Sequence, residues 1–243
     1  SSVSIGAPYY NFAFTLLMAP IILLMAFAPQ IKWGEHKRKN NQTFYIIAIS
    51  IVITAIVYYL LGNIFFALSV FITMPLFIKS FLVFFKKVSK DRSFFAQWLA
   101  HLSIGLFIVA AVYTEQFDYE KNITFEKGDS NEIVLNEGAS LLLENIKDSD
   151  LSNHQKISVD LIVVEKNLKY SLSPSKNIYQ PSGQVTNEVS TVNRYFDQYY
   201  ATISMIESDK VSINLVFKPF INLLWISSIL LVFSIFLSII KRK

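Results

Sequence analysis

Long unbroken apolar runs fill both ends of the chain, and a partly alternating pattern fills its middle. Five runs approach the ~20 residues that a helix needs to cross a hydrocarbon core. They predict spans at about 10–30, 44–62, 64–85, 94–114 and 219–240. Pro20 and Pro29 fall in the first, which predicts a kink or an early end there. Only Leu61-Gly62-Asn63 separates the second span from the third, so a tight hairpin is expected. Lys79, late in the third span, is expected to snorkel toward the basic loop that follows it.

Between 115 and 218, β-branched and aromatic residues interchange with polar ones, and short Gly/Asp/Asn/Ser groups punctuate them. This predicts six or seven short strands, with hairpin tips at 165–167 and 207–210. The expected fold class is an α-helical integral membrane protein of about five transmembrane helices with an inserted β-rich extracytoplasmic domain. Residues 1–114 then hold four helices behind an outer N-terminus, 115–218 the outer domain, and 219–243 the last helix and a basic cytoplasmic tail.

Charge supports that division and fixes an orientation. The net charge of +4 hides two opposed parts: 115–218 carry 10 Lys/Arg against 16 Asp/Glu, and the rest carry 12 against 2. The basic residues gather in "KWGEHKRKNN" after the first span, "KKVSKDR" after the third, and the terminal "KRK". Cytoplasmic loops collect such residues, and the acidic domain then falls on the opposite side together with the N-terminus. The positive charge therefore predicts membrane lipid, and no nucleic acid, as the partner. With no cysteine in its 243 residues, the chain holds no disulfide and no thiolate metal site.

One residue breaks the apolar pattern in a way that invites chemistry. His101 lies inside "SFFAQWLAHLSIGLFIVAAVYT" (93–114), ~12 Å from the cytoplasmic end of its span at 1.5 Å per residue. Ionisable side chains at that depth usually face the bundle interior and mark function. His101 could instead be a histidine hydrogen-bonded to a neighbouring helix, helped by Gln97 one turn away. It could equally be an axial haem ligand, with Gly105 one turn on leaving room for a flat macrocycle. A proton relay lacks a carboxylate in any span to continue it. His36 reads as a solvated or headgroup-level loop residue and His154 as a loop residue of the outer domain. No HxH or HExxH spacing joins the three, and no catalytic residue is assigned. Asn122-Ile123-Thr124 matches a glycosylation sequon, a pattern that arises readily by chance.

Several stretches, taken in order, resemble the C-terminal part of the CcmF family, the membrane subunit of cytochrome c haem lyase. "SIGAPYYN" (4–11) is similar to the family's S-V-G-P-P-Y-F-N, and "AFAPQIKWG" (26–34) to its Gly/Pro-plus-Trp loop. "QWLAHLSIG" (97–105) resembles W-x-x-x-x-A-H-x-G, with the histidine kept. "FEKGDS" (125–130) and "VFKPFINLLWISSILLVFS" (216–234) resemble the entry to and the exit from the outer domain. "SPSKNIY" (173–179), "DQYYATI" (197–203) and Ser227 depart from the family pattern.

The resemblance implies a subunit that accepts haem from a CcmE-type haem chaperone. With a CcmH-type subunit presenting apocytochrome c, it attaches that substrate haem covalently to CxxCH. It also implies an intramembrane haem b, with His101 as one axial ligand of its iron, Gly105 at the close approach and Gln97 in support. The second histidine and the substrate-haem ligands are implied to lie in the remaining N-terminal part of the lyase. This chain is then a fragment or split-gene product that is not competent alone. The implied location is the bacterial cytoplasmic (inner) membrane, with 115–218 periplasmic, or else the mitochondrial inner membrane. The alternative is a non-catalytic membrane scaffold whose outer β-domain docks a partner protein.

Overall fold

A helix that crosses lipid must satisfy its backbone internally, and its polar side chains must do the same. The computed structural model describes residues 7–27, 41–86, 91–126, 132–136, 139–166, 168–207 and 210–240, with side chains in the first helix from Leu17 onward and without that of Lys86. The helices are α1 (Ala7–Phe27), α2 (Gln42–Leu61), α3 (Ile64–Lys86), α4 (Arg92–Phe117) and α5 (Ile221–Ile239). Among the described residues, α2, α3, α4 and α5 each offer a stretch long and apolar enough to span a bilayer, and Leu17–Phe27 is a shorter apolar stretch of α1. Several of their hydroxyls bond backward to their own helices. Ser50 donates to the Ile46 carbonyl (2.8 Å), Thr73 to Ser69 (2.8 Å) and Ser103 to Leu99 (2.6 Å).

Sequence punctuation explains the helix ends. Gly62 sits at φ +67° and donates its N–H to the Tyr58 carbonyl (2.8 Å), closing α2 in a left-handed cap. Asn63 then accepts the Phe66 N–H on its side-chain oxygen (2.9 Å) and starts α3, so Leu61-Gly62-Asn63 makes the tight hairpin. Asp91 caps α4 in the same way, accepting from Phe94 (2.9 Å). α1 includes Pro20, and Pro29 lies outside the described residues. One expectation needs correction: Lys79 is buried, 6% exposed, with its ammonium 5.7 Å from the centroid of the Phe27 ring. An aromatic face within the helix cluster holds the cation that was expected to snorkel. The loops around 28–40 and 87–90, His36, the opening "SIG", Gly128–Ser130 and the terminal "KRK" lie outside the described residues.

Residues 117–222 form a second compact unit. It holds ten strands among the described residues: β1 (Tyr119–Glu126), β2 (Ile133–Asn136), β3 (Ala139–Asp150), β4 (His154–Glu165), β5 (Leu168–Leu172), β6 (Ser175–Tyr179), β7 (Val185–Glu188), β8 (Ser190–Arg194), β9 (Asp197–Ile206) and β10 (Lys210–Lys218). One antiparallel sheet runs β1-β10-β9-β8 and the other β2-β3-β4-β6-β7, with β5 also on β4. Inward positions recur every second residue, as a half-buried strand requires. Val159, Leu161 and Val163 of β4 meet Tyr199, Ala201 and Ile203 of β9 and Val211, Ile213 and Leu215 of β10 in one core.

The count exceeds the six or seven strands expected, because β6 and β7 show no apolar alternation. Their buried positions, Ser175 and Asn177, are polar and bond to the exposed Glu188. Glu188 accepts from Ser175 Oγ (2.6 Å) and Asn177 Nδ2 (2.9 Å), and also receives the Lys156 ammonium (2.9 Å). Those three donors hold the Glu188 carboxyl down at about 2.

Candidate functional site

Helix periodicity puts Phe94, Gln97, Trp98 and His101 of α4 on one stripe, at spacings of three and four residues. That stripe faces Leu76, Lys79, Ser80 and Val83 of α3 and Met25 and Ala26 of α1 around a recess of about 310 Å³. His101 is nine residues into α4, about 14 Å from its first residue. Its ring is partly buried and makes no hydrogen bond to any described residue. Between the ends of α3 and α4, Asn63 and Gln116 do bond side chain to side chain (3.1 Å). Gln97 lines the same recess but does not bond to His101.

Two buried donors also belong to the recess. Ser80 Oγ and Trp98 Nε1 are buried and without a hydrogen-bond partner among the described residues. Lys79 lines the same wall, and no carboxylate lines the recess among the described residues. Orphaned buried donors are costly in an apolar setting, at about 1–3 kcal/mol each, so they point to an acceptor that completes the site. Trp98 itself is held by the Phe84 ring at 4.8 Å, within a cluster that includes Phe94. Sequence reasoning placed Lys79 in the headgroups. The adjacent Lys79-Ser80 pair in an apolar span was the signal that these two face inward.

Gly105 stands apart from this recess. A Cβ at Gly105 would come 2.7 Å from Phe77 Cζ and 2.9 Å from Cε1, so the ring of an α3 side chain fills the room that the glycine leaves. A macrocycle at Gly105 would require Phe77 to swing away. His154 is the first residue of β4 rather than a loop residue, with Nδ1 2.7 Å from Asn153 Oδ1 and its ring 5.0 Å from Tyr179. It lies in the other unit and plays no part here. No cluster of three or more His, Asp or Glu that could hold a metal ion occurs among the described residues.

The recess thus brings together one imidazole, apolar walls, and the buried donors of Ser80 and Trp98. The fold as a whole is that of a multi-pass membrane protein carrying an inserted β-rich domain.

Comparison with known proteins narrows the class. No family model matches the chain. The cytochrome c-type biogenesis protein CcmF of Escherichia coli (strain K12) is 23% identical over 242 residues, covering 95% of this chain and 37% of that protein. CcmF of Haemophilus influenzae is 24% identical over 263 residues, covering 100% and 40%, and CycK of Bradyrhizobium diazoefficiens 22% over 262, covering 99% and 39%. A solved chain named cytochrome c heme lyase CcmF shares the fold with a TM-score of 0.80 at 14% identity, over 97% of this chain and 41% of its own. The chain is thus similar, along nearly all its length, to the C-terminal part of CcmF. It spans about two fifths of the length of those curated relatives. The apolar helices and the bacterial relatives support a multi-pass protein of a bacterial inner membrane.

Proposed function

We propose that this chain is the C-terminal portion of a CcmF-type cytochrome c haem lyase and that His101 supplies one axial ligand to an intramembrane haem b. The observation that carries the reading is the His101 imidazole, unbonded among the described residues and facing a recess with orphaned donors. Similarity to CcmF proteins along the whole chain supports the same assignment.

In this reading His101 offers a ring-nitrogen lone pair to the iron, and its partner histidine comes from chain outside these residues. Ser80 and Trp98 donate to the ligand's carboxylates, Gln97 lines the recess near the imidazole, and the α3 and α4 aromatics exclude water. Bound haem b supplies one-electron chemistry at that depth of the membrane. The acidic β-domain lies on the periplasmic side, where a CcmE-type chaperone delivers substrate haem and a CcmH-type subunit presents the CxxCH of apocytochrome c. Each thiol adds across a vinyl group, so a C–S bond forms and the thiol proton ends on the neighbouring vinyl carbon.

The test is maturation in cells. The complete lyase carrying His101→Ala should fail to restore covalently haem-stained c-type cytochromes to a bacterium lacking its own CcmF, while Gln97→Ala retains partial function. Full maturation with His101→Ala at normal protein levels would remove the basis for the assignment.

A further inference from the structure

The turn between β8 and β9 is where the outer unit shows its most exposed aromatic side chain. Arg194 pairs with Asp197 across a two-residue tip made of Tyr195 and Phe196. Such tips favour Asn-Gly, because residues there take positive φ. Here Tyr195 takes φ +48°, and it stands 83% exposed beside Phe196 at 51%. In water, an exposed aromatic pair on an unfavourable turn gains nothing.

The tip is not free to swing. Phe196 and Tyr195 accept hydrogen bonds on their carbonyls from Asn222 N (3.0 Å) and Asn222 Nδ2 (2.9 Å). Asp197 Oδ1 accepts from Phe220 N (3.0 Å), and the Phe196 ring stacks on Phe220 at 6.1 Å. Asn222 is the second residue of α5, a span of 19 residues. At 1.5 Å per residue that helix is about 28 Å long, close to the hydrocarbon thickness, so its first turn lies at the membrane–water boundary. The tip is bonded to that turn and must lie at the same depth. The flanking charges turn away: Arg194 reaches Glu165 (3.0 Å) and Asp197 the Phe220 amide, which leaves two rings at the tip.

We propose that Tyr195 and Phe196 insert into the lipid headgroup–acyl boundary and anchor the β-rich unit to the leaflet that α5 enters. The occupant is lipid, since aromatic side chains concentrate at that depth and the hydrogen bonds to Asn222 leave the tip no other level. The anchor stands independently of what the helical recess binds.

A depth measurement on the complete protein tests it. Tyr195→Cys and, separately, Phe196→Cys are made in a background free of other cysteines, spin-labelled, and reconstituted into nanodiscs of phosphatidylethanolamine and phosphatidylglycerol. Power saturation then compares accessibility to oxygen and to a water-soluble nickel chelate, with Ser182→Cys, on the exposed β6–β7 turn, as the aqueous reference. The anchor predicts oxygen accessibility above, and nickel accessibility several-fold below, the Ser182 values at both tip positions. Nickel accessibility equal to that at Ser182 would place the tip in water. Protection from both reagents would place it under protein. Either result overturns the anchor.

Discussion

Gly105 offers a quantitative test of how α3 and α4 pack. Carbon atoms rest about 3.5–4.0 Å apart, so a Cβ at 2.7 Å from Phe77 Cζ must be relieved by about 0.8 Å. Overpacking of that kind costs about 1–3 kcal/mol. Gly105→Ala gains back about 1 kcal/mol from helix propensity, which leaves a small net loss. Gly105→Leu keeps that propensity gain and adds three more carbons to the clash, so its loss lies in the upper half of the overpacking range. Phe77→Ala removes the ring and should rescue Gly105→Leu, with a coupling of about 1–3 kcal/mol between the two sites. The assay is a double-mutant cycle on thermal unfolding of the complete protein in detergent, read by near-ultraviolet circular dichroism. Equal destabilisation by Gly105→Leu with and without the Phe77 ring would refute the contact. It would leave Gly105 free for another close neighbour.

Other outcomes follow from single contacts. Gly62→Ala meets no neighbour within 4 Å, so its cost is backbone strain alone at φ +67°, about 1–2 kcal/mol, measurable as a lower unfolding midpoint. Glu188 has its pKa depressed from the ordinary 4.5 to about 2, so its contribution is complete above pH 4.5 and is lost as pH falls toward 2. Hydrogen exchange in β6 and β7 should therefore accelerate over that window, and Glu188→Gln should flatten the dependence. Arg194→Ala leaves Glu165, 14% exposed, with Tyr199 Oη at 3.1 Å but without its cation, at a cost of about 1–3 kcal/mol in stability of the β-rich unit.

The apolar helices were legible because long hydrophobic runs are strong one-dimensional signals. Gly62 and Asn63 even specified their hairpin. β4, β9 and β10 announced themselves through alternate Val, Ile and Leu. β6 and β7 did not, because their buried positions are the polar Ser175 and Asn177, hydrogen-bonded to the exposed Glu188 carboxylate, and apolar periodicity does not record them. At the site, His101 stood out by its cost in hydrocarbon. Its neighbours were harder to read. Lys79 has a stem long enough to point either way, and only tertiary contact with Phe27 decides. Gly105 advertises empty space without saying who fills it, and Phe77 comes from another helix. A single sequence shows which face of a helix is unusual, but not which ring arrives against it.

The central claim concerns His101, and haem content tests it most directly. The complete protein complex is purified as wild type and as His101→Ala, and reduced-minus-oxidised spectra and haem per protein are recorded for both. Loss of the haem b bands in His101→Ala, with the complex intact by size-exclusion chromatography, is the predicted result. An unchanged haem b spectrum at unchanged stoichiometry would contradict the ligand assignment.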